Sequence, residues 1–116
     1  MWIRVALDKK SIHYCDPIGY SSIMRNTNSE EYYFDQAVAN ALEADGFLTE
    51  MWDKLDALFD WGDCDFFLPD KCMIFREWLM NRLSRETDPL IKPVYEVMLD
   101  YAEKAIANDT GISFDF

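Results

Sequence analysis

The sequence predicts a small α+β single domain over residues 1–116, mainly α, with about four helices and short terminal β-strands. Two patterns carry this reading. Apolar and polar residues alternate near both ends, which is the period of a half-buried strand, and apolar residues between them recur every three to four positions, the period of an amphipathic helix. Composition agrees: of 116 residues, 50% are hydrophobic and 16% aromatic, which argues against disorder. A chain of this length buries roughly 65% of its unfolded surface, enough for a core without staples. The eight Phe, six Tyr and four Trp exceed what a small core can hold centrally, so some aromatics are expected near the surface.

Taken in order, Ile3, Val5 and Leu7 alternate with Trp2, Arg4 and Ala6, giving a first strand over 2–7. Lys9–Asn28 reads as irregular, with Asp16-Pro17, Gly19 and the polar run Arg25-Asn26-Thr27-Asn28, and with a short second strand inside Ile18–Met24. Ser29, followed by Glu30 and Glu31, has the chemistry of a helix start: a capping hydroxyl, then acids on the positive end of the dipole. Phe34, Ala37, Val38, Ala41 and Leu42 supply that helix's apolar stripe, and Gly46 ends it. Thr49 caps a second helix with Trp52, Leu55 and Phe59 inside. Asp53, Asp56 and Asp60 then form an acidic stripe on its far side.

Trp61–Pro69 reads as a loop. Asp70 caps a third helix, 71–85, with Cys72, Phe75, Leu79 and Leu83 on its main apolar face. Ile74 and Trp78 widen that face, so this helix is expected to be the most buried. Asp88-Pro89 opens a fourth helix, because proline at the first helical position loses no hydrogen bond. Val94, Met98, Tyr101 and Ala105 form its stripe, and Asn108-Asp109-Thr110-Gly111 ends it. Ile112, Phe114 and Phe116 alternate with Ser113 and Asp115 in a last strand.

Charge is the main functional signal. Twelve of the 22 acids lie between Glu30 and Asp70 (Glu30, Glu31, Asp35, Glu43, Asp45, Glu50, Asp53, Asp56, Asp60, Asp63, Asp65 and Asp70), with Lys54 the one base among them. That stretch alone carries the whole formal charge of −11, and the remainder balances to zero. Acids serving only solubility can be scattered; concentrated acids build a field that attracts a basic partner. An isoelectric point near 4.3 argues against direct nucleic-acid binding and against anionic membranes. The expected partner-binding set is Asp53, Asp56, Asp60, Trp61, Asp63 and Asp65. Trp61 reads equally as an aromatic anchor in an acidic loop or as a packed corner residue.

Other chemistry finds little footing. His13, the one histidine, with Cys15, Cys64 and Cys72 lacks the close paired spacing of zinc sites, so buried thiols and a loop histidine are expected, with no metal and no cofactor. The acids of 56–65 lack calcium-loop spacing. No Gly-rich phosphate loop occurs, and a lone histidine in no catalytic context argues against an enzyme. Three cysteines, an odd number, fit a reducing compartment. The N-terminus does not read as a signal peptide and no segment approaches ~18 consecutive apolar residues, so a cytoplasmic location without a membrane span is expected.

A strongly acidic small domain without catalytic residues, through to its tail Val94-Tyr95-Glu96-Val97-Met98-Leu99-Asp100-Tyr101-Ala102-Glu103-Lys104 and Thr110-Gly111-Ile112-Ser113-Phe114-Asp115-Phe116, resembles bacterial immunity proteins. These are the inhibitors of contact-dependent growth inhibition and related polymorphic toxin systems. The resemblance is of overall type and assigns no residue role by position. It implies an inhibitor that covers the substrate-binding face of a basic nuclease toxin domain. The alternative is a DNA-mimicking phage or plasmid protein that blocks a DNA-binding protein.

Overall fold

In the computed structural model, residues 1–13, 22–24, 27–57, 59, 61, 62 and 64–116 are described. They form an α+β fold of four helices and six strands. Strands β1 (Trp2–Ala6), β4 (Ser29–Tyr33), β5 (Cys64–Phe67) and β6 (Ile112–Asp115) build one antiparallel sheet in the order β4-β1-β6-β5. Strands β2 (Ile12–His13) and β3 (Ser22–Ile23) pair separately. The helices are α1 (Gln36–Ala44), α2 (Phe47–Leu55), α3 (Pro69–Leu83) and α4 (Lys92–Asn108).

Both terminal strands form as their alternation predicts. Ile3 and Val5 are buried on the helix-facing side and pair across the ladder with Phe114 and Ile112. This face meets Leu42, Met51, Phe75, Leu79, Val94 and Met98 in the main core. Much of that core is aromatic. Phe114 lies 4.8 Å from both Phe59 and Phe67, ring centroid to centroid, and Phe67 meets Phe75 edge-on at 5.2 Å. Each such buried ring contributes roughly 1.5–3 kcal/mol of transfer free energy. On the other face of the sheet Ala6 and Phe66 pack with Ile12 and Ile23, so the β2–β3 pair covers part of that side. Gly111 sits beneath Phe66: an added Cβ there would fall 2.5 Å from the ring and 2.6 Å from the Phe67 carbonyl.

Strands are thus not confined to the termini, and a mainly α description understates the sheet. The largest correction is at Ser29-Glu30-Glu31, which is strand rather than helix start. Pairing with β1 decides it: Arg4 bonds Glu31 at 3.1 Å, and Lys104 of α4 reaches Glu30 at 2.6 Å. The cap of α1 is Asp35, whose side chain accepts from the Val38 N–H at 3.1 Å. Residues 64–67, expected as loop, form edge strand β5 by pairing with β6. The expected strand inside Ile18–Met24 is found only at Ser22–Ile23; residues 18–21 lie outside the described residues.

Helix boundaries shift in two places with consequences. α2 starts at Phe47 behind a left-handed Gly46, not at Thr49, which rotates the buried stripe to Phe47, Met51 and Leu55. α4 starts at Lys92, because Asp88 closes a preceding turn by accepting from the Leu90, Ile91 and Lys92 N–H groups. Pro93 then falls in the first turn, where it is tolerated. α3 is capped at Leu68 with Pro69 first and Asp70 in its first turn. Nor is α3 the most buried helix: Met73, Ile74 and Met80 are exposed on it. α4 buries Val94, Tyr95, Met98, Tyr101, Ala102 and Ala105.

Candidate functional site

The exposed face of α2 follows from its buried one. With Phe47, Met51 and Leu55 inside at i, i+4 and i+8, the positions Thr49, Trp52, Asp53 and Asp56 point the opposite way. Trp52, expected in the core, is 51% exposed. Asp53 and Asp56, both exposed, follow it in the chain, and neither makes an ion pair among the described residues. A large exposed indole close in the chain to acids with no ion-pair partner among the described residues has the make-up of an interface anchor.

The helix expected to carry the stripe Asp53-Asp56-Asp60 stops short of its second member. α2 ends at Leu55, and Asp56 is its C-cap in the left-handed region, φ 51°. The Asp56 and Ala57 N–H groups bond back to the Trp52 and Met51 carbonyls, closing the helix end. Asp60 and Asp63 lie outside the described residues. Trp61 is half-buried. Its ring lies 5.2 Å from Phe116 and its N–H points to Glu43 of α1 at 3.4 Å, so it is a packed corner with one edge on the acidic side. Asp65 is half-buried in β5, and its carboxylate accepts from the Phe66 N–H at 2.7 Å.

Tertiary folding also trims the acidic excess. Among the described residues, bases from outside the stretch reach Glu30 (from Lys104), Glu31 (from Arg4) and Asp45 (from Arg82). Among the described residues, Asp35, Glu43, Glu50, Asp53, Asp56 and Asp70 keep no ion-pair partner. All but Asp70 lie on or beside α1 and α2. Five acids on or beside α1 and α2 thus lack an ion-pair partner among the described residues, with Lys54 on α2 the base closest to them in the chain.

One cluster had no signal in the sequence. Asp45, in the turn between α1 and α2, is 37 residues from Arg82 near the end of α3. Arg82 grips both oxygens of Asp45, Nη2 at 2.6 Å and Nε at 3.0 Å, and the Tyr95 hydroxyl of α4 donates to the same carboxylate at 2.7 Å. Arg82 Nη1 also donates to the Glu86 carbonyl and the Thr87 hydroxyl. Burial works against the charged carboxyl, yet the Arg82 and Tyr95 hydrogen bonds and the Arg82 and Arg85 charges hold Asp45 below the usual range. Burial, then Asp45 itself, pushes the Tyr95 hydroxyl well up. Beside this cluster opens a cleft of about 390 Å³ lined by Asp45, Glu50, Trp78, Arg82, Arg85 and Glu86. The Trp78 N–H donates to Glu50 at 3.3 Å.

His13 is exposed on β2, Cys15 lies outside the described residues, and Cys72 is fully buried in α3. Burial pushes the Cys72 thiol up to about 12. Among the described residues no three His, Cys, Asp or Glu side chains converge as a metal site. No described helix is long and apolar enough to cross a membrane. No protein-family model matches the chain, and no match is found among curated proteins or solved structures.

Proposed function

We propose that this protein is a cytoplasmic, non-catalytic inhibitor that binds a basic protein partner, a nuclease toxin domain, in the manner of an immunity protein. The observation that supports this reading is the exposed Trp52 on α2, with the exposed acids Asp53 next in the helix and Asp56 at its C-cap. The mechanism is occlusion. Carboxylates of the α1–α2 hairpin take the places of substrate phosphates against Lys and Arg of the partner. Desolvating ion pairs returns little net affinity, so the aromatic edge supplies binding energy and the acids supply on-rate and specificity.

The test is affinity capture from source cells with the tagged protein, identification by mass spectrometry, and titration of the captured protein's nuclease activity. Stoichiometric inhibition of a basic nuclease supports the reading. A captured partner with no basic face, or one retained equally by the Trp52→Ala, Asp53→Lys double variant, overturns it.

A further inference from the structure

The cleft between α2 and the end of α3 has its own charge pattern. Of its five ionised groups, Asp45 and Arg82 neutralise each other through a two-pronged bond, leaving Glu50 and Glu86 against Arg85. Neither Glu50 nor Glu86 makes an ion pair among the described residues. Glu50 is already oriented, since the Trp78 N–H holds one oxygen and leaves the other open. Trp78 is itself held by Phe47 at 5.9 Å and Tyr95 at 5.6 Å, so this wall of the cleft is fixed by core packing. Two outlying carboxylates, an indole wall and a neutralised floor favour a cation with a flat, partly apolar body. A guanidinium fits: it forks onto carboxylates and lies against aromatic rings, which a compact ammonium does less well.

We propose that this cleft receives one arginine side chain of the basic partner, with Glu50 and Glu86 taking the guanidinium and Trp78 lining its stem. This deepens the inhibitor reading and rests on it, adding a specificity pocket beside the acidic face. A cleft of about 390 Å³ holds a single arginine side chain with room for water. Surface acids steer association from any direction, whereas a pocket with an oriented Glu50 selects one residue at one place.

The experiment uses the isolated full chain and N-acetyl-arginine-N-methylamide as probe, at constant ionic strength. The indole N–H signals of the four Trp are followed by NMR, with Trp78 assigned through Trp78→Phe. The Trp78 signal should move along a saturating curve. Glu50→Gln should weaken that binding about fivefold, as expected for loss of one partly exposed charge contact. Glutamine can still accept from the Trp78 N–H, so the wall is preserved, and a thermal melt checks it. Glu86→Gln provides a second variant at an exposed position. The blocked lysine analogue should bind more weakly and the blocked glutamate analogue not at all.

A Trp78 signal that stays still, or equal responses to arginine and lysine, overturns the proposal. A stronger response to glutamate does so too, assigning the cleft to an anion through Arg85. None of these outcomes touches the broader reading, which stands or falls on capture by the α2 face. Loss of capture on changing Trp52 and Asp53, with a silent Trp78, would remove the pocket and keep the inhibitor.

Discussion

Asp45 and Arg82 meet as a two-pronged ion pair, 2.6 and 3.0 Å, that ties the turn between α1 and α2 to the end of α3. Tyr95 extends the tie to α4. Three helical elements thus converge on one carboxylate that is only 19% exposed. Replacing Asp45 by Asn leaves the Arg82 charge partly buried without its counter-ion, and should cost about 2–3 kcal/mol. Tyr95→Phe, which removes one donor and keeps the ring, should cost about 1 kcal/mol. Urea denaturation midpoints measure both. An Asp45→Asn variant within ~0.5 kcal/mol of the parent, the scatter of ordinary surface changes, would show that the pair does not hold the hairpin in place.

The same carboxylate sets a pH dependence. Its folded-state pKa is depressed below 3.8, so its contribution is fully present above the unfolded value. That contribution is lost as the pH falls below about 3.8 and passes through the folded value. The stability gap between the parent and Asp45→Asn should therefore be constant from neutral pH to pH 5 and should narrow at pH 3 and below. Denaturation curves across that range give the sign directly, and a gap that widens on acidification contradicts the assignment.

Gly111 makes a steric prediction. Gly111→Ala places a methyl 2.5 Å from the Phe66 ring and 2.6 Å from the Phe67 carbonyl. The ring can turn, but the carbonyl belongs to the β5 backbone, so the strand must shift. The cost should be about 1–3 kcal/mol, the range for overpacking, read as a lower melting temperature. An unchanged melt would mean that the β5–β6 edge adapts freely.

Cys72 should be inert in the native state. It is fully buried, its sulfur lies 3.5 Å from the Phe67 carbonyl, and a thiol held near 12 carries almost no thiolate at neutral pH. Alkylation at pH 8 followed by peptide mass mapping should leave Cys72 unmodified until denaturant is added. Labelling of Cys72 in the native protein would contradict its burial.

The parts of the fold legible in the sequence are those whose pattern is local and strong. Ile3 and Val5, Ile112 and Phe114, and the stripe Val94-Met98-Tyr101-Ala105 all fall where alternation or helical spacing puts them. Misplaced elements are those decided by distant partners. Glu30 and Glu31 carry helix-start chemistry, but backbone pairing with β1 holds them in a strand. The 64–67 segment looks like an acidic loop until β6 pairs with it. In α2, reading the cap at Thr49 instead of Gly46 shifted the buried stripe and hid Trp52 in the core, although Phe47-Met51-Leu55 has the same helical period. Asp45–Arg82 could not be read at all, because nothing local marks a pair 37 residues apart.

The end of α2 constrains how its exposed acids can be changed. Asp56 sits at φ 51°, where lysine is strained and asparagine is tolerated, so its charge is best removed by Asp56→Asn while Asp53 is reversed to Lys. The control pair is Glu96→Lys with Asp100→Lys on α4. Asp100 already bonds Lys104 at 2.8 Å, and Lys104 also holds Glu30, so a base offsets part of the charge on this side. Both variants should stay folded by thermal melt, since solvated acids contribute little to stability. The α2 variant should slow association with the captured partner about tenfold or more at low salt. Its rate should also depend less on ionic strength near ~0.15 M, where the Debye length is about 8 Å. The α4 variant should change the rate by less than about threefold, the effect of a rim charge. Stopped-flow rates decide between the faces: a larger loss for the α4 pair places the partner on the opposite side of the molecule, and a flat salt dependence for the parent removes electrostatic steering altogether.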